Sequence, residues 1–182
     1  MKFARTTLEG VFRVALDSKP DERGAFVRVF DAAEFERAGL AIAFPEQSIA
    51  INTTRGTMRG LHFQTAPHGE TKVIRCTRGR VYDVLVDARR NASTFGLWEA
   101  FELSESSPEL LYVPPGVAHG YQTLEDRCEL HYLMSSPYRA DAAKGIRFDD
   151  QRLGIAWPLQ ISLISERDRA LPSFEALDTR GT

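Results

Sequence analysis

The sequence predicts an all-β protein whose strands form a sandwich or a barrel. Many short apolar segments lie between residues 47 and 134, Gly- and Pro-rich turns separate them, and almost no helical pattern interrupts them. The 182 residues suit one domain, residues 1–182, with a substantial core. We find no internal repeat, low-complexity tract or linker that would divide the chain.

The N-terminal part predicts two strand-like segments and one helix. Residues 7–16 alternate loosely between apolar and polar, and a turn-rich stretch follows at residues 17–24. Residues 25–30 are typical of a strand, with Phe26 as a large apolar anchor. Asp31 followed by Glu34 resembles a capping box, which predicts a short helix ending near Gly39.

Most of the predicted strands lie in the middle of the chain. They are residues 47–54, 59–64, 72–77, 81–86, 94–103, 110–113, 120–124 and 128–134. Turns are predicted at residues 78–79, 91–94 and 114–116. After Ser136 the pattern changes, and we expect a C-terminal extension that wraps the sheets and contains a short helix or two.

The composition gives no general affinity for nucleic acid or an anionic membrane, because the formal net charge is −2. The N-terminus has no apolar signal region, and no stretch approaches the roughly 20 apolar residues of a membrane span. Cys76 and Cys128 lie among apolar, strand-like residues, which predicts buried free thiols. We therefore expect a cytosolic protein in which any anion recognition is local.

Residues 56–72 carry an unusual set of polar side chains. If residues 59–64 are extended, Leu61 and Phe63 lie on one face, and His62 and Gln64 lie on the other. Lys72 would follow across a hairpin. Such a face can line a functional cavity, or it can be a solvated outer face that carries a histidine by chance.

The positions of the other histidines indicate which of them could line a cavity. His68 lies in a turn and is expected to be exposed, and His131 and Tyr132 are neighbours on one strand, so they face opposite sides of the sheet. His62, His119 and Tyr132 remain as candidates for one shared cavity.

The segment Pro114-Pro115-Gly116-Val117-Ala118-His119 resembles the PxGxxH motif of the cupin superfamily. This resemblance implies a double-sheet jelly-roll sandwich with a few short helices, mainly C-terminal, and a tight turn that presents His119 at the barrel mouth. Metal-binding cupins also use an HxH motif, but this chain has His62-Phe63-Gln64. An amide oxygen is a poor substitute for imidazole on a transition metal, so we expect no bound metal and no cofactor.

A closer resemblance extends over nearly the whole chain. Arg59-Gly60-Leu61-His62-Phe63-Gln64 resembles the RGLHxQ signature of dTDP-4-dehydrorhamnose 3,5-epimerases. Further segments agree with that family in the same order: residues 21–24, 72–75, 83–89, 114–120, 132–138, 148–150, 155–158 and 165–168. The substrates of this family are nucleotide-linked 4-keto-6-deoxy sugars, which are inverted at carbons 3 and 5.

The resemblance implies a set of catalytic residues. His62 would be the base, Asp168 would hold its other nitrogen, and Tyr132 would reprotonate the opposite face of the sugar. Lys72 would meet the negative charge that develops on the keto oxygen.

The resemblance also implies binding residues and a homodimer. The diphosphate would contact three arginines, which suit bidentate binding, and the nucleotide and sugar would contact the remaining positions. The positions are Arg23, Arg59 and Arg167 for the diphosphate, and Phe26, Gln47, His119 and Tyr138 for the rest of the ligand. Phe26 would reach the partner's nucleotide site.

Two departures concern the nucleotide end of the ligand. Arg28 stands where well-known members of the family have Glu, and Ile49 stands where they have Asn. A change from Glu to Arg reverses the charge and replaces acceptors by donors. The sequence therefore leaves open whether the nucleotide is dTDP-, GDP-, CDP- or UDP-linked, which sugar is bound, and whether one or two carbons are inverted.

Other functions remain open at this stage. Keto-isomerisation would use the same base. A metal-dependent cupin oxygenase is disfavoured by Gln64, and a non-catalytic sugar-binding cupin would not need His62, Lys72, Tyr132 and Asp168 together.

Overall fold

The computed structural model describes residues 1–177, and most of them belong to β-strands or their connections. The N-terminal strands are β1 (Lys2–Arg5), β2 (Phe12–Ala15), β3 (Ser18–Asp21), β4 (Gly24–Val27) and β5 (Glu46–Asn52). The central strands are β6 (Thr57–Gln64), β7 (Lys72–Arg78), β8 (Arg80–Asp87), β9 (Trp98–Ser104), β10 (Glu109–Val113), β11 (Val117–Thr123) and β12 (Cys128–Met134). The C-terminal part adds β13 (Ala143–Gly145) and β14 (Leu163–Ile164), and the helices are α1 (Ala32–Arg37) and α2 (Glu166–Arg169).

The strands form two large sheets that face each other. Sheet I has the order β1-β2-β10-β7-β12-β5. Sheet II has the order β13-β6-β11-β8-β9, and β14 pairs with β6 in parallel. This arrangement confirms the predicted all-β, double-sheet jelly-roll fold.

Apolar residues of both sheets fill the space between them at one end. Ile74, Cys76 and Leu130 of sheet I pack with Leu85 and Leu103 of sheet II. Cys128 belongs to the same cluster, and both cysteines are buried free thiols, as predicted. The opposite end of this interior carries polar side chains instead.

Each sheet is also covered on its outer face. The segment around α1 packs on sheet I, where Phe35 is completely buried. The C-terminal extension packs on sheet II through Leu153 and Phe174, so it covers one of the two sheets it was predicted to wrap. Since both outer faces are covered, alternate residues of the central strands point into two different apolar layers.

Helix α1 begins and ends as the sequence predicts. The Asp31 side chain accepts hydrogen bonds from the N–H groups of Ala33 and Glu34. Glu34 does not complete the capping box, since its carboxylate binds the N-terminal amine at 2.7 Å. The chain leaves the helix at Gly39, whose φ of +72° suits glycine.

Several sequence expectations require correction. The stretch 17–24 was predicted as a turn, but most of it forms β3 and the start of β4, a separate two-stranded hairpin. His119 lies within β11, which begins earlier than the strand predicted at residues 120–124, and β1, β13 and β14 were not predicted. His68 is partly buried, not exposed.

The largest correction concerns Lys72. Strands β6 and β7 do not form a hairpin, since β6 belongs to sheet II and β7 to sheet I. The connection between them crosses from one sheet to the other.

Within residues 1–177, no helix is long and apolar enough to cross a membrane.

Candidate active site

A cavity of about 400 Å³ lies between the polar ends of the two sheets. Most of the predicted site residues line it, and they come from both sheets and from the C-terminal segment. The predicted residues that line it are Arg59, His62, Lys72, His119, Tyr132, Tyr138, Arg167 and Asp168. The structure thus brings residues that are more than a hundred positions apart in the sequence into one site.

Two facing glycines bring β6 and β11 close together at the cavity. A Cβ atom on Gly60 would lie 2.6 Å from the Cα atom of Gly120, and the φ of Gly60 is +102°. Such a close approach and such a φ are accessible to glycine alone. His62 and His119 are directly opposite each other in this pair of strands. The glycines therefore set the position of both histidines.

His62 is held by a carboxylate from the C-terminal segment. Its Nε2 lies 2.7 Å from Oδ1 of Asp168, and the other oxygen of Asp168 accepts the N–H of Gly60 at 3.1 Å. Asp168 reaches this place because Ser165 caps α2 and because β14 runs beside β6. Burial tends to raise the pKa of Asp168, but hydrogen bonds and the charge of His62 lower this pKa overall.

This contact determines which nitrogen of His62 could accept a proton. An ionised Asp168 can only accept, so Nε2 carries the hydrogen and Nδ1 keeps its lone pair. The His62 side chain is 38% exposed, so a bound molecule can reach it. Asp168, at 7%, is shielded from water.

Lys72 lies on the facing sheet with its ammonium group fixed. Its Nζ lies 3.0 Å from a carboxylate oxygen of Glu70 and donates to the backbone carbonyl of His62 at 3.2 Å. Both charged groups are about nine-tenths buried. Sequence reasoning missed Glu70, since it lies in the connection that crosses between the sheets.

His119 forms a second histidine–carboxylate pair. Its Nε2 lies 2.7 Å from Oδ2 of Asp83, a fully buried residue of β8. The other oxygen, Oδ1, has no hydrogen-bond partner in the described part of the chain. Sequence reasoning missed Asp83 as well, although a carboxylate within the apolar run of residues 81–86 was a signal.

Tyr132 faces these groups from sheet I. Its ring packs edge-on to His119, with centroids 5.8 Å apart, and the ring of Tyr121 also stacks on His119, with centroids 6.0 Å apart. Burial raises the pKa of Tyr132 well above its ordinary value, and the phenol therefore holds its proton. His131, its neighbour on β12, lines a separate cavity on the outer face of sheet I, as predicted.

The side-chain amide of Gln64 is hydrogen-bonded to backbone groups. Its Nε2 donates to the carbonyls of His68 and Pro137, at 3.1 and 3.2 Å, and its Oε1 accepts the N–H of Arg139 at 2.6 Å. Within residues 1–177 we find no group of three or more His, Cys, Asp or Glu side chains that could hold a metal ion.

Three exposed side chains form the rim of the cavity. Arg59 donates from Nε to Oδ1 of Asn52 at 2.8 Å and from Nη2 to the backbone carbonyl of Ile51 at 3.5 Å. Arg167 lies with Nη2 3.4 Å from the hydroxyl group of Tyr138, whose side chain is 57% exposed. Two guanidinium groups beside an exposed aromatic ring can bind a nucleoside diphosphate.

Three predicted binding residues lie outside this cavity in the single chain. Arg23 is at the tip of the β3–β4 hairpin, paired with Asp21, and its side chain is 83% exposed. Phe26, on the same hairpin, is 66% exposed. Gln47 points to the outer face of sheet I and lines the cavity that also contains His131.

The two departures at the nucleotide end also lie outside the cavity. Arg28 forms an exposed ion pair with Asp31 at 3.2 Å, and Ile49 is 59% exposed on the outer face of sheet I. Neither side chain can reach a ligand in the cavity of its own chain.

Sequence comparison places this arrangement among known enzymes. The model of a family described as dTDP-4-dehydrorhamnose 3,5-epimerase matches residues 5–176. A dTDP-4-dehydrorhamnose 3,5-epimerase from Methanothermobacter thermautotrophicus is 37% identical over 172 residues, which cover 92% of this chain and 91% of the relative.

Solved structures agree with the sequence comparison. A dTDP-4-dehydrorhamnose 3,5-epimerase from Bacillus anthracis, with TDP and PPi bound, has a TM-score of 0.92 and 33% identity, over 94% of this chain and 98% of that one. A 3'-monoepimerase from Streptomyces bikiniensis in complex with dTDP-quinovose has a TM-score of 0.88 and 31% identity, over 93% and 86% of the two chains. Similar proteins therefore include enzymes that invert two carbons and enzymes that invert one.

Proposed function

Because this chain belongs to the dTDP-4-dehydrorhamnose 3,5-epimerase family and is an isomerase, we propose that its cavity inverts a nucleotide-linked 4-keto-6-deoxy sugar by proton transfer. The carbons inverted are 3 and 5, or carbon 3 alone. No cofactor takes part in the proposed reaction. The relatives bind dTDP and its derivatives, so a dTDP-linked sugar is the first substrate to test.

The main support for this proposal is that the proposed acid and base come from different sheets. His62 comes from sheet II and Tyr132 from sheet I, and both side chains face one cavity. Inversion requires a proton to leave one face of a carbon and another to arrive on the opposite face. A sugar ring that lies between the two sheets is exposed to both groups at once.

The reaction begins with removal of a proton next to the ketone. The lone pair of His62 Nδ1 takes this proton, and the electrons of the C–H bond move to the C4 oxygen to give an enolate. Asp168 holds the ring and stabilises the resulting imidazolium. The buried ammonium group of Lys72 lies close to His62 and stabilises the enolate oxygen.

Reprotonation completes the inversion. Tyr132 donates its proton to the carbon from the opposite face, and the electrons of the enolate return to re-form the ketone. Its raised pKa keeps the phenol protonated at neutral pH, as an acid requires. Exchange with water then removes the proton from His62 and restores the one on Tyr132.

We propose that the nucleotide site is completed by a second copy of the chain. Among the described residues, β3 and β4 pair only with each other, and their hairpin carries the exposed Arg23 and Phe26. A C₂ homodimer would let each hairpin reach the partner's cavity beside Tyr138.

Sedimentation should show a dimer, and Phe26→Ala should raise the KM for the nucleotide sugar. The control Leu97→Ala, also at an exposed apolar position, should not. A fully active monomer would contradict this proposal.

The two alternatives from other classes have less support. An oxygenase site would need Gln64 as a ligand, but its amide is engaged by three backbone groups. A sugar-binding module would not need a base and an acid on facing sheets.

Solvent exchange followed by NMR tests the proposal. The protein is incubated with dTDP-4-keto-6-deoxyglucose in deuterated buffer, and the hydrogens at carbons 3 and 5 are observed. Deuterium at both carbons, with inversion, indicates double epimerisation, and deuterium at carbon 3 alone indicates single epimerisation. The absence of exchange with this sugar and with its GDP-, CDP- and UDP-linked counterparts would disprove the proposal.

A further inference from the structure

Tyr121 has a hydroxyl group deep in the apolar core of the site. Its side chain is 2% exposed and packs in the cluster between the sheets, yet it also lines the cavity. The hydroxyl group lies 3.1 Å from Oδ1 of Asn52, which is itself 3% exposed. Burial raises the pKa of Tyr121 to about 12, so the group is a neutral phenol.

The direction of this hydrogen bond is determined by the neighbours of Asn52. The amide nitrogen of Asn52 donates to the carbonyls of Ala50 and Cys128, at 3.3 and 3.2 Å. Its oxygen therefore points toward Tyr121 and Arg59, and an amide oxygen can only accept. Tyr121 must donate its hydrogen to Asn52, which leaves the lone pairs of its own oxygen for another donor.

Tyr132 is placed to be that donor. The rings of Tyr121 and Tyr132 both contact His119, and the two phenols line the same cavity. Burial raises the pKa of Tyr132, and the nearby Tyr121 hydroxyl group adds to this effect. The acid of the proposed reaction therefore lies beside a buried hydroxyl group that can accept a hydrogen bond.

Resting on the proposed function, we propose that Tyr121 is a positioning residue that holds the phenol of Tyr132 at the angle from which it protonates the far face of the enolate. The hydrogen bonds continue from Tyr121 to Asn52 and from Asn52 to Arg59 at the rim. An arginine that contacts the diphosphate is thereby linked to the acid. Binding of the nucleotide end then fixes the phenol in place when the sugar arrives.

The alternative explanation is that Tyr121 is a core aromatic residue whose hydroxyl group is simply satisfied. The ratio of inversion to solvent exchange distinguishes the two. After each proton is removed, the enolate can be reprotonated by Tyr132 on the far face or by His62 on the original face. The ratio reports how often the first outcome occurs relative to the second. It does not depend on how much of the protein is folded, so a loss of stability leaves it unchanged.

The test compares Tyr121→Phe with the wild type and with Tyr82→Phe. Tyr82 packs against Trp157 on the outer layer of sheet II, away from the cavity. NMR of the substrate in deuterated buffer should show the inversion-to-exchange ratio falling about fivefold to tenfold in Tyr121→Phe, the effect of one ordinary hydrogen bond. Tyr82→Phe should keep the wild-type ratio.

A second variant tests the same link at its other end. Asn52→Ala removes the acceptor of Tyr121 while leaving both phenols in place, and the ratio should fall in the same direction. Wild-type ratios in both Tyr121→Phe and Asn52→Ala would overturn the inference. A wild-type protein that neither exchanges nor inverts any of the four nucleotide-linked sugars would instead refute the proposed function.

Discussion

The cavity contains two histidine–carboxylate pairs with the same contact and different surroundings. In each pair Nε2 lies 2.7 Å from a carboxylate oxygen. The His62 side chain is 38% exposed and that of His119 is 6% exposed. His62 can therefore receive a proton from a ligand and release it to water, whereas His119 is confined by Asp83, Tyr121 and Tyr132.

The carboxylates differ as well. Asp168 uses both oxygens, one on His62 and one on the N–H of Gly60, and its pKa is lowered overall. Asp83 uses one oxygen, and within the described residues the other is buried without a partner. This difference teaches that a short His–Asp distance does not by itself identify a base. Access to the second nitrogen decides which histidine can move a proton.

The largest expected effect is the loss of the proposed base. His62→Asn should lower turnover by about 10²–10⁴-fold, because an amide cannot accept a proton at neutral pH. Binding of the nucleotide sugar, measured by calorimetry, should survive, since Asn keeps much of the polar shape. His68→Asn, in the loop behind the cavity, is the control and should be fully active. A His62→Asn variant with more than a tenth of wild-type turnover would contradict the claim that His62, and not His119, moves the proton.

Asp168→Asn should have a smaller effect on the same step. The imidazole remains, but its orientation and its tautomer are no longer enforced, and misplacement of this kind costs roughly 10²-fold. Steady-state kinetics should show that kcat falls while KM changes little. If kcat stays at the wild-type value, Asp168 has a structural role only.

The His119–Asp83 pair should contribute more to the stability of the fold than to proton transfer. Asp83→Ala leaves the buried Nε2 of His119 without its partner, which should reduce the free energy of unfolding by about 1–3 kcal/mol in urea denaturation. Solvent exchange at the substrate should continue in this variant. If exchange stops while the protein remains folded, His119 and Asp83 take part in deprotonation.

The smallest effect concerns acid stability. The folded-state pKa of Asp168 lies below its unfolded value of about 3.9, so this group stabilises the fold above about pH 4. The contribution is lost as the pH falls through the lowered folded-state pKa. Between pH 7 and pH 3, Asp168→Asn should therefore lose less unfolding free energy than the wild type. An equal loss in both proteins would show that Asp168 does not contribute in this way.

The sequence predicted the local part of this site well. Alternation along residues 59–64 placed His62 and Gln64 on one face and Leu61 and Phe63 on the other, because a strand has a fixed period of two. The long-range contact with Asp168 was inferred from resemblance alone. No local pattern indicates that residue 168 returns to residue 62.

Other features could not be predicted, for physical reasons. A connection of several residues can turn back within one sheet or cross to the other, which is why the hairpin predicted before Lys72 was wrong. Sequence reasoning did not single out Tyr121, since only the fold brings its hydroxyl group to Asn52. The single domain and the homodimer stay predictions.

The most direct test of His62 as the base is proton NMR of substrate in deuterated buffer, with His62→Asn and Tyr132→Phe measured side by side. In His62→Asn, both inversion and uptake of deuterium should disappear. In Tyr132→Phe, deuterium should still enter the recovered substrate while inverted product falls by about 10²–10⁴-fold, since His62 can return an exchanged proton to the original face. Exchange that continues undiminished in His62→Asn would show that another residue is the base.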